Sequence, residues 1–253
     1  MKGERIWWTL AGLTLVLVLW EVVVRVFNLP WYLVVPPSEV FSEIAERNVV
    51  LLPHLYRTLF GTFVGLALAI LLGVSLGLLI GYSQTLTKLF FPILGSFSVM
   101  PKQIILPILV VWLGLGSLPG LMIALLIAFF PICVNVVTGL ATIPSEQWEM
   151  LRTLGASKIQ VFLKVGLPRT VPYIFAALKL ASSGAFIGEV VSEMIASDAG
   201  LGYVIVIATA RLDMRLAYSS VLILILLGYV IFSTFDELDK KIAPWAYRGM
   251  GST

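Results

Sequence analysis

The sequence predicts an all-α membrane protein with about six transmembrane helices, and three observations carry that reading. Of its 253 residues, 59% are hydrophobic and only 12% are charged, against about 25% charged in a soluble domain. The mean hydropathy is +1.01. The apolar residues fall in runs that match the roughly 20 residues a helix needs to cross a bilayer. So few charges cannot coat a water-facing surface of this length, and the surplus apolar surface has to face lipid.

The first apolar run, residues 6–27, follows Met1-Lys2-Gly3-Glu4-Arg5. It exceeds a signal-peptide core and has no small-x-small cleavage site behind it, so it reads as an uncleaved span. The second, residues 59–82, carries Gly61, Gly65, Gly73, Gly77 and Gly81. Their four-residue spacing puts small residues on shared faces that admit another helix closely. The third, 89–113, is interrupted by Pro92, Pro101 and Pro107. Such breaks are tolerated at membrane depth where the backbone is packed in protein or lines a cavity. The fourth is 118–140, the fifth 171–196 and the sixth 216–235, and residues 1–253 read as one transmembrane domain. With the N-terminus inside, the inner segments hold Lys2, Arg5, Lys88, Arg152, Lys158, Lys164, Arg169, Lys240, Lys241 and Arg248. The outer ones hold Arg47, Arg57, Arg211 and Arg215. The positive-inside rule therefore predicts cytoplasmic N- and C-termini.

Several function classes are excluded at this stage. One cysteine, Cys133, and one histidine, His54, allow neither a disulfide framework nor a thiolate or histidine metal site. Basic residues do not cluster with aromatics, which gives nucleic-acid binding no support. There is no Gly-x-x-x-x-Gly-Lys-Ser/Thr phosphate loop.

The conspicuous polar element is the inner loop 141–170. Pro144-Ser145-Glu146 signals a helix start, and Gly155 a C-cap. A helix over 145–154 is expected, then a second piece over 157–165 that ends before Leu167-Pro168. Trp148, Met150, Leu151 and Leu154 give the first helix an apolar side, which suits either a lipid interface or a docking partner.

Within that loop, Glu149-Met150-Leu151-Arg152-Thr153-Leu154-Gly155, followed by Val165-Gly166-Leu167-Pro168, resembles the EAA signature of ABC importer permeases. That signature runs Glu-Ala-Ala, three residues, Gly, nine residues, an aliphatic, any residue, Leu-Pro. Met150 and Leu151 stand where the alanines usually do, which makes the surface bulkier. An ordered series surrounds the loop: Val35-Pro36-Pro37-Ser38, Met100-Pro101-Lys102, Leu106-Pro107 through Trp112-Leu113-Gly114, Phe130-Pro131 with Asn135, Ser192-Glu193-Met194-Ile195 and Gly200-Leu201-Gly202. Together these are similar to the sulfonate, nitrate, taurine and thiamine-precursor branch of binding-protein-dependent permeases, over roughly residues 30–240.

The resemblance implies a type I ABC importer permease fold in a prokaryotic inner membrane. It implies a second permease copy as a homodimer, a cytoplasmic ABC ATPase beneath, and an extracytoplasmic substrate-binding protein. ATP and Mg would be bound by the ATPase, and no cofactor by this chain. The residues implied in ATPase coupling are Glu149, Met150, Leu151, Arg152, Thr153, Leu154, Gly155, Ala156 and Ser157. The solute would be a small polar or anionic compound such as a sulfonate, an oxyanion or a pyrimidine. An ion-coupled carrier is the alternative, but it would leave the EAA-like loop unexplained.

Polar groups at membrane depth, together with Met100 beside the proline break, are the candidates for the translocation path: Met100, Lys102, Asn135, Ser183, Glu189 and Glu193. Glu189 and Glu193 are four apart on one face, although Glu193 could also be solvated at the outer interface. Glu21 and Arg25 are spaced to pair. Lys179, about 10 Å from the inner end of its span at 1.5 Å per residue, is expected to snorkel.

Overall fold

The structure is a computed structural model that describes residues 2–244. Arg248 lies outside that range, and the side chains of Lys2, Arg5 and Trp148 are also outside what is described. The order is α1 (Lys2–Val26), α2 (Pro37–Glu46), α3 (Asn48–Tyr82), α4 (Gln84–Val99), a 3₁₀ turn (Lys102–Ile105), α5 (Leu106–Leu113) and α6 (Ser117–Ala141). It continues with α7 (Ser145–Thr153), α8 (Lys158–Val161), a π turn (Phe162–Gly166), α9 (Leu167–Ala196), α10 (Leu201–Ala210) and α11 (Met214–Ile242).

Among the described residues, four helical stretches are long and apolar enough to cross a membrane: α3, α6, α8 through α9, and α11. A fifth is formed if α4 and the 3₁₀–α5 piece count as one broken span, bent by 83°. The remaining expected span is α1, an unbroken 25-residue helix with exposed Leu15, Val16, Val18 and Leu19. The 83° bend falls where the sequence places it. Met100 is extended (φ −63°, ψ 130°), as the residue before a proline prefers to be.

Several boundaries differ from the sequence reading. The helix of the second span begins at Asn48, running through Pro53 in its second turn at the loss of one backbone hydrogen bond. The piece expected over 157–165 does not stop before Leu167-Pro168. It passes through the π turn into α9, whose first turn has little use for the N–H that Pro168 lacks. The sixth helix runs on past residue 235 to Ile242.

That extension decides the fate of Lys179. Instead of snorkelling, its ammonium pairs with Asp239 (2.8 Å) and Asp236 (3.3 Å) on α11. Asp239 is 2% exposed. Lys179→Met should therefore destabilise the fold by about 3–5 kcal/mol, because it strips a buried carboxylate of a partner. A thermal melt no lower than wild type would contradict this. At the start of the chain, Glu21 pairs with Arg25 (2.5 Å) as expected. Glu21 also accepts from the Ser38 amide (3.0 Å), which ties α1 to the start of α2.

The core is a slab of α3, α6 and α9. Leu66 and Ala69 from α3, Ala124, Ala128, Ile132 and Val136 from α6, and Ala177, Ala181 and Ala185 from α9 pack together. Small residues let these backbones approach without side chains between them. A Cβ added at Gly73 would lie 3.0 Å from Ile132, and one at Gly77 would lie 2.7 Å from Val136. The glycine spacing on the second span is thus a packing face against α6.

Candidate functional site

The segment from Pro144 to Gly166 is built as a stiff helix–turn–helix standing off the slab. Pro144 is extended (φ −60°, ψ 139°) and α7 starts behind it with Glu146 in its first turn and Arg152 in its last. Both charges complement the helix dipole. Gly155 ends α7 at φ +85°, a left-handed conformation that costs a side-chain-bearing residue about 1 kcal/mol or more. The Ala156 amide donates to Leu151 O (3.0 Å) and the Gly155 amide to Arg152 O (2.9 Å). This double closure is the Schellman motif, and it satisfies the last carbonyls of α7.

Ser157 then opens α8. Its hydroxyl accepts from the Gln160 amide (3.2 Å), while Gln160 Oε1 accepts from the Ser157 amide (2.8 Å). The Ser-x-x-Gln capping box was legible as a sequence pattern but was not part of the reading above. A second anchor was also missed: Tyr82, the last residue of α3. Its ring meets Phe162 edge-on at 5.3 Å, and Lys158 Nζ sits 4.3 Å from its centre. No local pattern links Tyr82 to residues 158–162.

These contacts fasten α8 to the end of α3. Tyr82→Ala should loosen it by about 1–2 kcal/mol, so amide exchange across 158–161 should rise about five- to thirtyfold. Unchanged exchange would mean that α8 is held by other contacts.

The turn between the helices leaves apolar side chains in the open. Met150 is 58% exposed and Leu154 77%, and Ile159 and Leu163 are also exposed. Glu149, Arg152, Thr153 and Gly155 stand beside them at the surface, with Leu151 and Ala156 half-buried and Ser157 exposed. Rigid backbone with a mixed apolar and charged surface is the profile of a docking element.

The path candidates do not converge on one cavity. Met100 and Lys102 sit at the 83° bend. Lys102 is 8% exposed, donates to Ser98 O (2.7 Å) and lies over the Phe130 ring (5.4 Å). Asn135 is half-buried and donates to Pro131 O on its own helix (2.9 Å). Ser183 lines an apolar groove of about 380 Å³ between α9 and α11 with Phe186, Val221 and Tyr229.

Glu189 and Glu193 lie in the slab, 1% and 3% exposed, so Glu193 is not a solvated interface residue. Glu193 accepts from Thr58 Oγ1 (2.9 Å) and from the Gly202 amide (3.0 Å). Thr58 Oγ1 in turn accepts from the Leu201 amide (3.0 Å), and His54 Nδ1 from the Gly200 amide (3.0 Å). Three successive amides opening α10 are thereby held by α3 and α9. His54 and Thr58, one turn apart on α3, were the residues that sequence reasoning missed. Their spacing was visible, but the amides they serve are more than 140 positions away.

Residues 51–244, which include the α7–α8 element and the buried network, match the binding-protein-dependent transport system inner membrane component family. The chain belongs to that family. The permease is 31% identical over 231 residues to the formylaminopyrimidine transport permease protein ThiX of Halalkalibacterium halodurans, covering 91% of this chain and 92% of the relative. It is 30% identical over 222 residues to a probable ABC transporter permease protein of Haemophilus influenzae, covering 88% and 91%. It is 25% identical to the taurine transport system permease protein TauC of Escherichia coli K12, covering 95% and 85%. Its fold resembles the inward-facing MetNI methionine ABC transporter at a TM-score of 0.63 and 21% identity, over 76% of this chain and 95% of that one. The permease is therefore a multi-pass inner-membrane transport component with the type I importer fold, not an enzyme.

Proposed function

We propose that this permease imports a small polar or anionic solute handed over by an extracytoplasmic binding protein. The work is driven by ATP and Mg on a separate cytoplasmic ABC ATPase, and the chain itself binds no cofactor. The observation that carries this reading is the α7–α8 element, with a rigid capped backbone and Met150, Leu154 and Ile159 exposed. Glu149 through Ser157 dock in the ATPase, and closure of the ATPase is passed to α9 through the π turn and to α3 through Tyr82.

The loop then faces the cytoplasm, as do both termini, and two copies of the permease pair around the path. Met100 and Lys102 are the path residues this arrangement favours, because they lie at the break in the bent span, with Asn135 one turn after Pro131 on α6. The relatives carry a formylaminopyrimidine and taurine, and both are small polar compounds.

Gly155→Pro tests the docking. Proline cannot adopt φ +85°, so the variant should keep the transmembrane slab and lose the ATPase. Wild-type permease extracted in mild detergent should co-purify with a Walker-motif ATPase, and the variant should retain less than about a tenth of it, a loss of about 1.4 kcal/mol or more. Retention of the ATPase by the variant would move docking away from this turn. Its absence from wild type would favour an ion-coupled carrier.

A further inference from the structure

The network around Glu193 leaves a charge unaccounted for. Glu189, Ser192 and Glu193 share one face of α9, and Ser192 is 1% exposed. Glu193 Oε2 is well served by Thr58, by Gly202 and by the amino end of α10, which suits a carboxylate that keeps its charge. Its Oε1 has no partner, and neither has Glu189 Oε2 or Ser192 Oγ. Three orphaned oxygens on one buried helical face are unusual in a native core.

The Glu189 carboxyl is closed in by glycines. A Cβ at Gly61 of α3 would lie 2.0 Å from its Oε1, and one at Gly120 of α6 would lie 2.7 Å from its Oε2. The cradle fits a bare carboxyl and leaves no space for an ion with a coordination shell.

Among the described residues, no neighbouring element pairs a cation with Glu189. From α3, Arg57 is within electrostatic range of both glutamates but is in no ion pair with either, and His54 is engaged with Gly200. The sequences of α6 and α10 contain no acidic or basic residue. Asp198, in the turn between α9 and α10, is exposed. On α11, Asp236 and Asp239 serve Lys179, ten residues down α9 from Glu189.

We propose that Glu189 and Glu193 together hold one buried proton, making the junction of α3, α6, α9 and α10 a proton-binding site. The proton comes from solvent and resides on Glu189. One bound proton removes a buried charge that no donor or cation beside Glu189 Oε2 offsets. Two ionised carboxylates one helical turn apart in this core would repel with little solvent to screen them. The folded chain holds a proton that the unfolded chain releases, so stability falls as pH rises until the folded chain releases it too.

The test is infrared spectroscopy of the wild-type permease in lipid nanodiscs, with Glu189→Gln and thermal melts from about pH 6 to about pH 9. Glutamine has the shape of the protonated acid, so the variant should fold. The carbonyl stretch of a protonated carboxyl should be present in wild type near neutral pH and missing from the variant. The wild-type melting temperature should fall with rising pH on a slope of up to one proton, and the variant should lose that slope. A wild-type spectrum without the band overturns the proposal, and so does a variant that keeps the band or cannot fold. Loss of the band alone, with the wild-type pH slope retained, also overturns it. All readouts use the permease without its ATPase, so they are independent of the docking proposal.

Discussion

Gly65→Leu is expected to be the most damaging single substitution in the transmembrane slab. A Cβ at this position would lie 2.7 Å from Ala124 Cβ, 2.9 Å from Leu121 O and 3.2 Å from Leu125 N. Two of those three atoms are backbone and cannot swing aside. The leucine would have to push α3 away from α6 along a closely packed seam, separating Leu66 and Ala69 from Ala124 and Ala128. Overpacking with side-chain relief costs about 1–3 kcal/mol, and without that relief the loss should exceed about 3 kcal/mol. In a protein with a total stability of about 5–15 kcal/mol, this should cut the amount of monodisperse permease recovered from membranes. Gly12→Leu is the control: nothing lies within 4 Å of a Cβ there, and its recovery should match wild type. Equal recovery of the Gly65 and Gly12 variants would refute the close approach of α3 to α6.

The sequence was informative where the cause is local. Apolar run length, proline position and glycine spacing are short-range quantities, and they placed the spans, the break at Met100-Pro101 and the packing face of α3. The turn at Gly155 was equally legible, because a helix-start signal followed ten residues later by glycine describes a complete capped helix. The failures share a different cause. Lys179 reads as an isolated cation near a helix end, and only the run of α11 to Ile242 reveals Asp236 and Asp239 beside it. Glu193 reads as an interfacial acid, because its partners Thr58 and Gly202 come from another helix and from a turn. Buried polar residues in a membrane protein look like path residues in sequence. Whether they face water or each other is decided by tertiary pairing, and in this chain Glu189 and Glu193 face the slab.

Thr58 is where that pairing is most concentrated, and Thr58→Val should show it. The substitution preserves shape and removes one oxygen that does two jobs between elements. The hydroxyl donates to Glu193 Oε2 (2.9 Å) and accepts from the Leu201 amide (3.0 Å). Valine would leave a buried amide unpaired, at about 1–3 kcal/mol, and remove a hydrogen bond to a charged group, worth about 1.5–3 kcal/mol. Their sum, about 2.5–6 kcal/mol, rivals the steric effect at Gly65, although no atom is overcrowded. The damage should be directional as well. The junction between α9 and α10 depends on three amides, Gly200, Leu201 and Gly202, so their exchange with solvent should accelerate before that of α6. Thr58→Ser keeps the hydroxyl and should stay within about 1 kcal/mol of wild type. If the valine and serine variants melt together, the hydroxyl does not join α10 to α3 and α9. The restraint at Gly200 would then fall to its contact with His54, and His54→Ala should accelerate the same amides.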